Sequence, residues 1–352
     1  MRNHSGNYDY IIGRDAPPVV AELKSLFEQL PDAELLAQLK GRVRRGPKGY
    51  EPDILWRCYV AYYYLGLDSV SALIRLLEDN PFIAQACGIS SPESIPSQPT
   101  FSRFGTKLAK HTGEFILAVK NVHRNLTRKL YATLPDFGKT VAIDSTDVKG
   151  WSNAIKKGKK RSGKVRRQKP RVGKVSDPDA GWCVKKNTEG TKKYVFGYKI
   201  HILADAKYEL PMVVDISPGN MHDIRKASAL LREARTVTGK FVPDYVLADA
   251  GYSSLPLWRL IKNQYRAEPI IDPNPTHKVI VARNKKTSEW KKIYSQRTSI
   301  ERLNGRLKGF RKLNSVRVRG RFKVRIHAMM SVIVCQALAL ATESRASVRG
   351  VA

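Results

Sequence analysis

Four residues between Tyr294 and Lys308, in the segment YSQRTSIERLNGRLK, are spaced so that they could act together. Apolar Ile300, Leu303 and Leu307 recur at helical intervals with no proline among them, which predicts a helix. At roughly 100° per residue, Tyr294, Arg297, Glu301 and Lys308 fall near about 0°, 300°, 340° and 320°. One narrow stripe thus carries a phenol, a guanidinium, a single carboxylate and an ammonium. A lone acid among bases suits a metal ligand beside bound phosphates. The same pattern also fits a solvated basic helix with one stabilising Glu–Arg pair.

Two aspartates upstream bear on that choice. The segments TVAID (140–144) and YVLAD (245–249) each read as a short apolar strand ending in an acid, Asp144 and Asp249. A carboxylate there costs desolvation energy unless a cation compensates it. With Glu301, three carboxylates could meet at one end of a sheet, which is the donor set of a hard divalent ion. Mg²⁺ takes oxygen ligands, keeps some waters and accepts phosphate oxygens, and Mn²⁺ can take its place. Two such ions about 3.5–4 Å apart clamp the attacking and leaving oxygens of an in-line phosphoryl transfer. Asp147, Asp205, Asp215, Asp223 and Asp272 compete for the same role. Asp205 and Asp272 also follow apolar strands, although such residues more often serve turns and caps. His222 reads as a helix-cap neighbour of Asp223. Trp290 reads as a core or interface residue, with base stacking as the alternative.

The elements that must position these groups change character along the chain. Residues 1 to about 135 read as helical. Asp32 is placed to cap a helix ending at Gly41, Pro52 to start an apolar and aromatic one, and Asp68 to cap SVSALIRLLED. Ser97 or Thr100 opens the next helix, and an amphipathic helix runs through Phe115, Val119, Val122 and Leu126. Short, partly basic helices joined by tight turns suggest a helix-turn-helix-like DNA reader, or a plain bundle with Tyr59, Tyr62 and Tyr63 as core. After Pro135 come strands at 140–144, 194–205, 210–217, 245–249 and 267–273, with helices at 222–238, 254–264 and 294–312. That order indicates an α/β domain with a mixed sheet. Between the first two strands, AIKKGKKRSGKVRRQKPRVGKV (154–175) holds many bases and no acid. It reads as a solvated loop whose Lys159, Lys160, Arg161, Arg166 and Arg167 would follow a phosphate backbone.

Composition narrows the partners. The chain carries 63 Lys and Arg against 31 Asp and Glu, a net charge of +32 in 352 residues. Self-repulsion of that size is relieved by a polyanion, with nucleic acid first and an acidic membrane surface second. A hydrophobic content of 42% supports a real core. Cys58, Cys87, Cys183 and Cys335 form no CxxC pair, which argues against a zinc site or disulfide framework and fits a reducing cytoplasm. No secretory signal is expected from MRNHSGNYDYIIGRD. The apolar stretch 324–341 is interrupted by Arg325, His327 and Gln336, and reads as a buried helix on a sheet, not a membrane span.

The segments AIDSTD, SDPDAGW before FGYKIHILAD, PGNMHD, LADAGY and Y-x2-R-x3-E-x6-K together resemble the DDE-type transposases of bacterial insertion sequences. The last pattern is similar to the Y-R-E-K signature of the IS-four/IS-five type. The match covers 140–310, and the helical region at 1–135 resembles the DNA-binding part of these proteins less specifically. The resemblance implies an RNase H-like catalytic domain over 136–345. It implies Asp144, Asp249 and Glu301 as a Mg²⁺-binding catalytic triad. Tyr294, Arg297 and Lys308 would hold the transposon-end DNA. It further implies a homodimer on double-stranded DNA, associated with a prokaryotic nucleoid, with no membrane partner. The roughly fifty residues between Asp249 and Glu301 leave no room for the β-rich insertion that some relatives carry. Two other classes remain: a structure-selective nuclease without strand transfer, and a non-enzymatic basic DNA-binding protein.

Overall fold

A computed structural model describes Tyr8 and residues 15–41, 49–110, 113–152, 176–186, 190–274 and 287–350. The basic loop at 154–175, with Lys159, Lys160, Arg161, Arg166 and Arg167, lies outside the described residues.

The first half is helical: α1 (Pro18–Gln29), α2 (Ala33–Lys40), α3 (Pro52–Tyr64), α4 (Val70–Asp79), α5 (Pro81–Ala86), α6 (Gln98–Leu108) and α7 (Glu114–Thr133). Prolines open α1, α3, α5 and α6, where a missing N–H costs nothing. The expected cap at Asp68 is corrected: Ser69 accepts from the Ala72 N–H (3.1 Å), and Asp68 instead pairs with Lys312 (2.9 Å). Asp32 precedes α2 without capping it, because its carboxylate accepts the Trp56 indole N–H (2.6 Å). Tyr63 is buried, and Tyr59 and Tyr62 pack against the same core, which agrees with the bundle reading of these rings.

The second half forms a six-stranded mixed sheet: β1 (Thr140–Lys149), β2 (Gly181–Lys186), β3 (Lys192–Asp205), β4 (Leu210–Pro218), β5 (Tyr245–Ala248) and β6 (Glu268–Ile271). β3 pairs antiparallel with β1 on one side; on its other side β2 takes 192–197 and β4 takes 198–205. β5 and β6 then extend the sheet parallel to β1. Helices α8 (Ile224–Thr238) and α9 (Leu255–Tyr265) alternate with these strands, and α10 (Ser288–Ser295), α11 (Thr298–Gly309) and α12 (Arg321–Gly350) follow. Two features depart from the sequence reading. GWCVKK forms strand β2, whose outward Trp182 and Val184 hid it from an inside-apolar pattern. The helix expected over 294–312 is broken near Gln296 and Arg297 into α10 and α11.

Side chains alternate across the sheet, so each face has its own core. Val141, Ile143, Leu203, Val246 and Ala248 pack with α7, α8, α9 and the N-terminal helices. Ala142, Ile200, Ile202 and Leu247 pack under Ile300, Leu303 and Leu307 of α11. Helix α12 serves both: Ile326, Met329, Met330 and Ile333 join the first cluster, and Val324, Ala328 and Val332 the second. It also lies along β4, covering an edge that would otherwise offer unpaired backbone groups. Residues 321–345 are long and apolar enough to cross a membrane, yet the most apolar window is 78% buried inside the protein, as expected for a core helix.

His327 of α12 sits between two halves of this structure. Its Nδ1 accepts from the Tyr63 hydroxyl (2.8 Å), and its Nε2–H donates to the carbonyls of Lys312 (3.1 Å) and Leu313 (3.2 Å). Burial lowers its pKa from 6.5 to about 4, with the backbone hydrogen bonds opposing. The unfolded chain therefore binds the proton first as pH falls. Stability from the neutral imidazole is complete above pH 6.5 and is lost as pH falls toward 4. The loss approaches about 3 kcal/mol. Melting temperatures between about pH 7 and 4.5 should fall less steeply for His327→Gln than for the parent; equal slopes would show that His327 carries none of the acid sensitivity.

Candidate active site

β1 and β5 run parallel, and their last shared pair is Ile143–Ala248. The next residues are Asp144 and Asp249, so both acids leave neighbouring strands, about 4.8 Å apart, at one level. The row continues: Ala248 stands opposite Ile271, and the Asp272 N–H donates to the Ala248 carbonyl (3.3 Å). Asp144 is not the end of its strand, as the apolar run had predicted. β1 continues in register with β3 as far as Lys149–Gly197, and only its pairing with β5 stops at Ile143. That divergence leaves Asp144 part-exposed within a strand.

Helix α11 lies over this level. Its apolar side buries Ile300, Leu303 and Leu307, and the adjoining Asn304 donates through Nδ2 to Asp144 Oδ2 (3.0 Å). Asp249 Oδ1 accepts from the Gly251 N–H (2.9 Å), which ties it to the short turn after β5. Glu301, one turn before Asn304, accepts from Arg297 Nη2 (2.7 Å), with its side chain 53% exposed. The Arg297 guanidinium lies 5.6 Å from the Tyr294 ring centroid, and Tyr294 stacks on Trp290 at 4.7 Å and 15°. The expected grouping of Tyr294, Arg297 and Glu301 therefore survives the helix break. Lys308 is half-buried two turns beyond Glu301 on α11. Trp290 is buried and packs in the core under Tyr294.

Electrostatics place the α10–α11 corner beside the acid row. Burial pushes the Tyr294 phenol up, and Asp272 and Asp249 push the same way against Arg297. Burial opposes the Arg297 charge, but Tyr294, Glu301 and Asp144 together hold its pKa above the ordinary value. Tyr252, buried close by, is pushed well up by burial first and then by Asp223, Asp144 and Asp249.

Three of the other candidate acids have structural partners. Asp205 accepts from the N–H groups of Gly138 (2.7 Å) and Tyr208 (2.6 Å), closing a turn. Asp215 pairs with Lys226 (2.6 Å) and Arg325 (3.1 Å), and Asp223 with Lys199 (2.9 Å). His222 is exposed next to Asp223 at the start of α8. Among the described residues, no three His, Cys, Asp or Glu side chains are gathered closely enough to hold a metal ion. Asp144 and Asp249 share a level, whereas Glu301 is held by Arg297.

Sequence reasoning missed Asn304 and Tyr252. Asn304 was accessible, since ten residues after Tyr294 it falls near about 280° on the same stripe. Tyr252 carries no comparable signal, because it reaches the site from a turn.

The sequence profile of the transposase DDE domain matches residues 135–335, and that of a second transposase domain, DUF772, matches 13–107. The chain belongs to the DDE transposase family. In this DDE transposase the order β4–β3–β1–β5–β6 is the RNase H-like arrangement, preceded by an α-helical region. Among solved structures, a cryo-EM structure of a piggyBac transposase synaptic complex with hairpin DNA is similar at a TM-score of 0.39 and 10% identity, over 97% of this chain and 78% of that one. No curated protein matches the transposase.

Asn304 donates to Asp144, and removing the support of a metal-ligating carboxylate typically costs about 10- to 100-fold in metal affinity or activity, so Asn304 tests whether Asp144 is one. Asn304→Leu should therefore slow DNA cleavage by about that factor and leave DNA affinity within about twofold. Single-turnover cleavage beside a filter-binding titration checks this, and an unaltered cleavage rate would reduce Asn304 to a packing residue.

Proposed function

We propose that this DDE transposase binds the terminal inverted repeats of an insertion sequence, cleaves phosphodiester bonds at its ends and joins the freed 3′-hydroxyls to target DNA. The observation that carries the reading is the level shared by Asp144 and Asp249 beneath the helix that bears Glu301. We divide the chain into a helical DNA-binding region, 1–135, and a catalytic domain, 136–345. The separate matches at 13–107 and 135–335 support that division. The tyrosine, arginine, glutamate and lysine at 294–308 support the IS-four/IS-five type.

The donor chemistry fits Mg²⁺ or Mn²⁺. Asp144 and Asp249 offer part-exposed carboxylates on adjacent strands, and Asn304 orients the first. Glu301 would complete the set on exchanging Arg297 for the ions. When bound, a pair of divalent ions supplies charge at the attacking and leaving oxygens. The chain's own groups do the rest. Arg297, freed from Glu301, pairs with a phosphate through its planar fork, and Lys308 adds a point charge on the same helix. Tyr294, held by the Trp290 stack, keeps Arg297 over the acid row. Hydrolysis and strand transfer are then one phosphoryl transfer with water or a 3′-hydroxyl as nucleophile. Two ends must be held together, so the assembly on DNA is a homodimer, and the loop 154–175 follows backbone phosphates.

Incubation with Mg²⁺ and labelled DNA carrying the element's ends should give joined products; cuts alone would leave a nuclease, and neither would leave a DNA binder. Asp144→Ala, Asp249→Ala and Glu301→Ala should each lower cleavage by about a thousandfold or more while retaining DNA binding, because losing an acid also removes repulsion from phosphate. A variant that cuts at the parent rate removes that residue from the triad. Deleting 156–174 should flatten the salt dependence of DNA affinity by about 0.9 in log–log slope for each phosphate that the loop neutralises in the parent. An unchanged slope would separate this loop from the backbone.

A further inference from the structure

The outer half of β3 and all of β2 form an antiparallel arm beyond the level where β4 joins the sheet. Trp182 is opposite Phe196 and Val184 opposite Tyr194, so these four side chains share one face of the arm. Trp182, Val184 and Tyr194 are 47%, 51% and 58% exposed. The Trp182 ring lies 5.3 Å from Phe196 and 6.4 Å from Tyr194, so the exposed apolar surface is one patch and not scattered residues. Strand alternation puts Lys192 on the same face.

The same strand leads to the candidate active site, with Tyr198, Ile200 and Ile202 buried between the two. Tyr194 and Phe196 alternate in step with Tyr198, Ile200 and Ile202, and Ile202 is the β3 partner of Asp144. At about 3.3 Å per residue, Phe196 lies about 20 Å along the strand from that level, a span of about six base pairs of duplex. The arm's root is tightly built. A Cβ on Gly197 would stand 2.1 Å from the Val148 carbonyl oxygen, so only glycine permits this approach of β1 and β3. There the Gly150 N–H donates to the Phe196 carbonyl (2.9 Å), and the next residue, Trp151, is 50% exposed. Arg317 lies over the Trp151 ring at 5.6 Å, and Arg319 donates to its carbonyl (2.7 Å).

Charge selects the occupant. Residues 181–196 carry four lysines against one glutamate, so two such arms repel each other, whereas a phosphate chain complements them. Exposed aromatic rings beside cations are the means by which proteins hold unpaired bases without reading sequence. We propose that this arm is a single-strand surface, on which Trp182 and Tyr194 stack with unpaired bases about six nucleotides from the cut while Lys192 takes phosphate. The proposal rests on the transposase reading for the DNA substrate, and extends it to a distorted one.

Fluorescence anisotropy with the full chain separates the two. The probes are a labelled duplex carrying the element's end and the same end with an unpaired segment about six nucleotides from the cut. The double variant Trp182→Ala, Tyr194→Ala should lose about tenfold or more in affinity for the unpaired probe and less than about twofold for the duplex. Trp182→Phe should keep the preference, and Trp182→Leu should lose it. Equal loss on both probes, loss on neither, or a changed oligomeric mass on light scattering would overturn the proposal, the last assigning the patch to a second copy. Cleavage and joining by the parent protein are scored in parallel. Their absence would fault the transposase reading, while the probe comparison would still decide the arm.

Discussion

Carboxylates that leave neighbouring strands at one level repel each other, by about 4 kcal/mol for two charges 4 Å apart at an effective dielectric of 20. The surroundings of Asp144 and Asp249 answer that repulsion with donors and positive charge. Asn304 and the Gly251 N–H each donate to one carboxylate, and Arg297 stands close enough to feel Asp144. An acid row of this kind at the end of a parallel pairing is stable beside cations and strained without them. The net charge of the chain belongs to the same account: a chain with 63 basic against 31 acidic residues attracts a polyanion, while the acid row itself repels one.

The corner between α10 and α11 makes this arrangement local and rigid. Trp290 anchors Tyr294 from the core side, Tyr294 carries Arg297, and Arg297 carries Glu301. Because α11 buries three apolar residues against the sheet, the polar side of the same helix is held in register with the strand ends. Packing on one side of a helix thus sets the chemistry on the other.

Much of this was legible in the sequence, for reasons that can be named. Apolar runs ending in acids marked β1 and β5, because a buried strand of a parallel sheet is apolar on both faces. Helical spacing marked Arg297 and Glu301 as neighbours, and they bond. The α12 stretch read as a core helix because Arg325, His327 and Gln336 interrupted it, and each has a partner inside the protein. What escaped were features decided by tertiary context. β2 turns Trp182 and Val184 outward, against the pattern that reveals strands. The continuation of β1 past Asp144 depends on β3 pairing alone. The cap at Ser69 rather than Asp68 depends on Lys312, far away in sequence.

Helix α12 gives residues to both cores and covers the β4 edge, and it follows all six strands in the chain order. During synthesis neither face of the sheet can close until Arg321–Ala341 has left the ribosome, although domains generally fold from the N-terminus onward. The acid row and its basic helix are therefore assembled late. A nascent chain stopped before that point carries the positive charge without the packing that holds the acid row beneath α11.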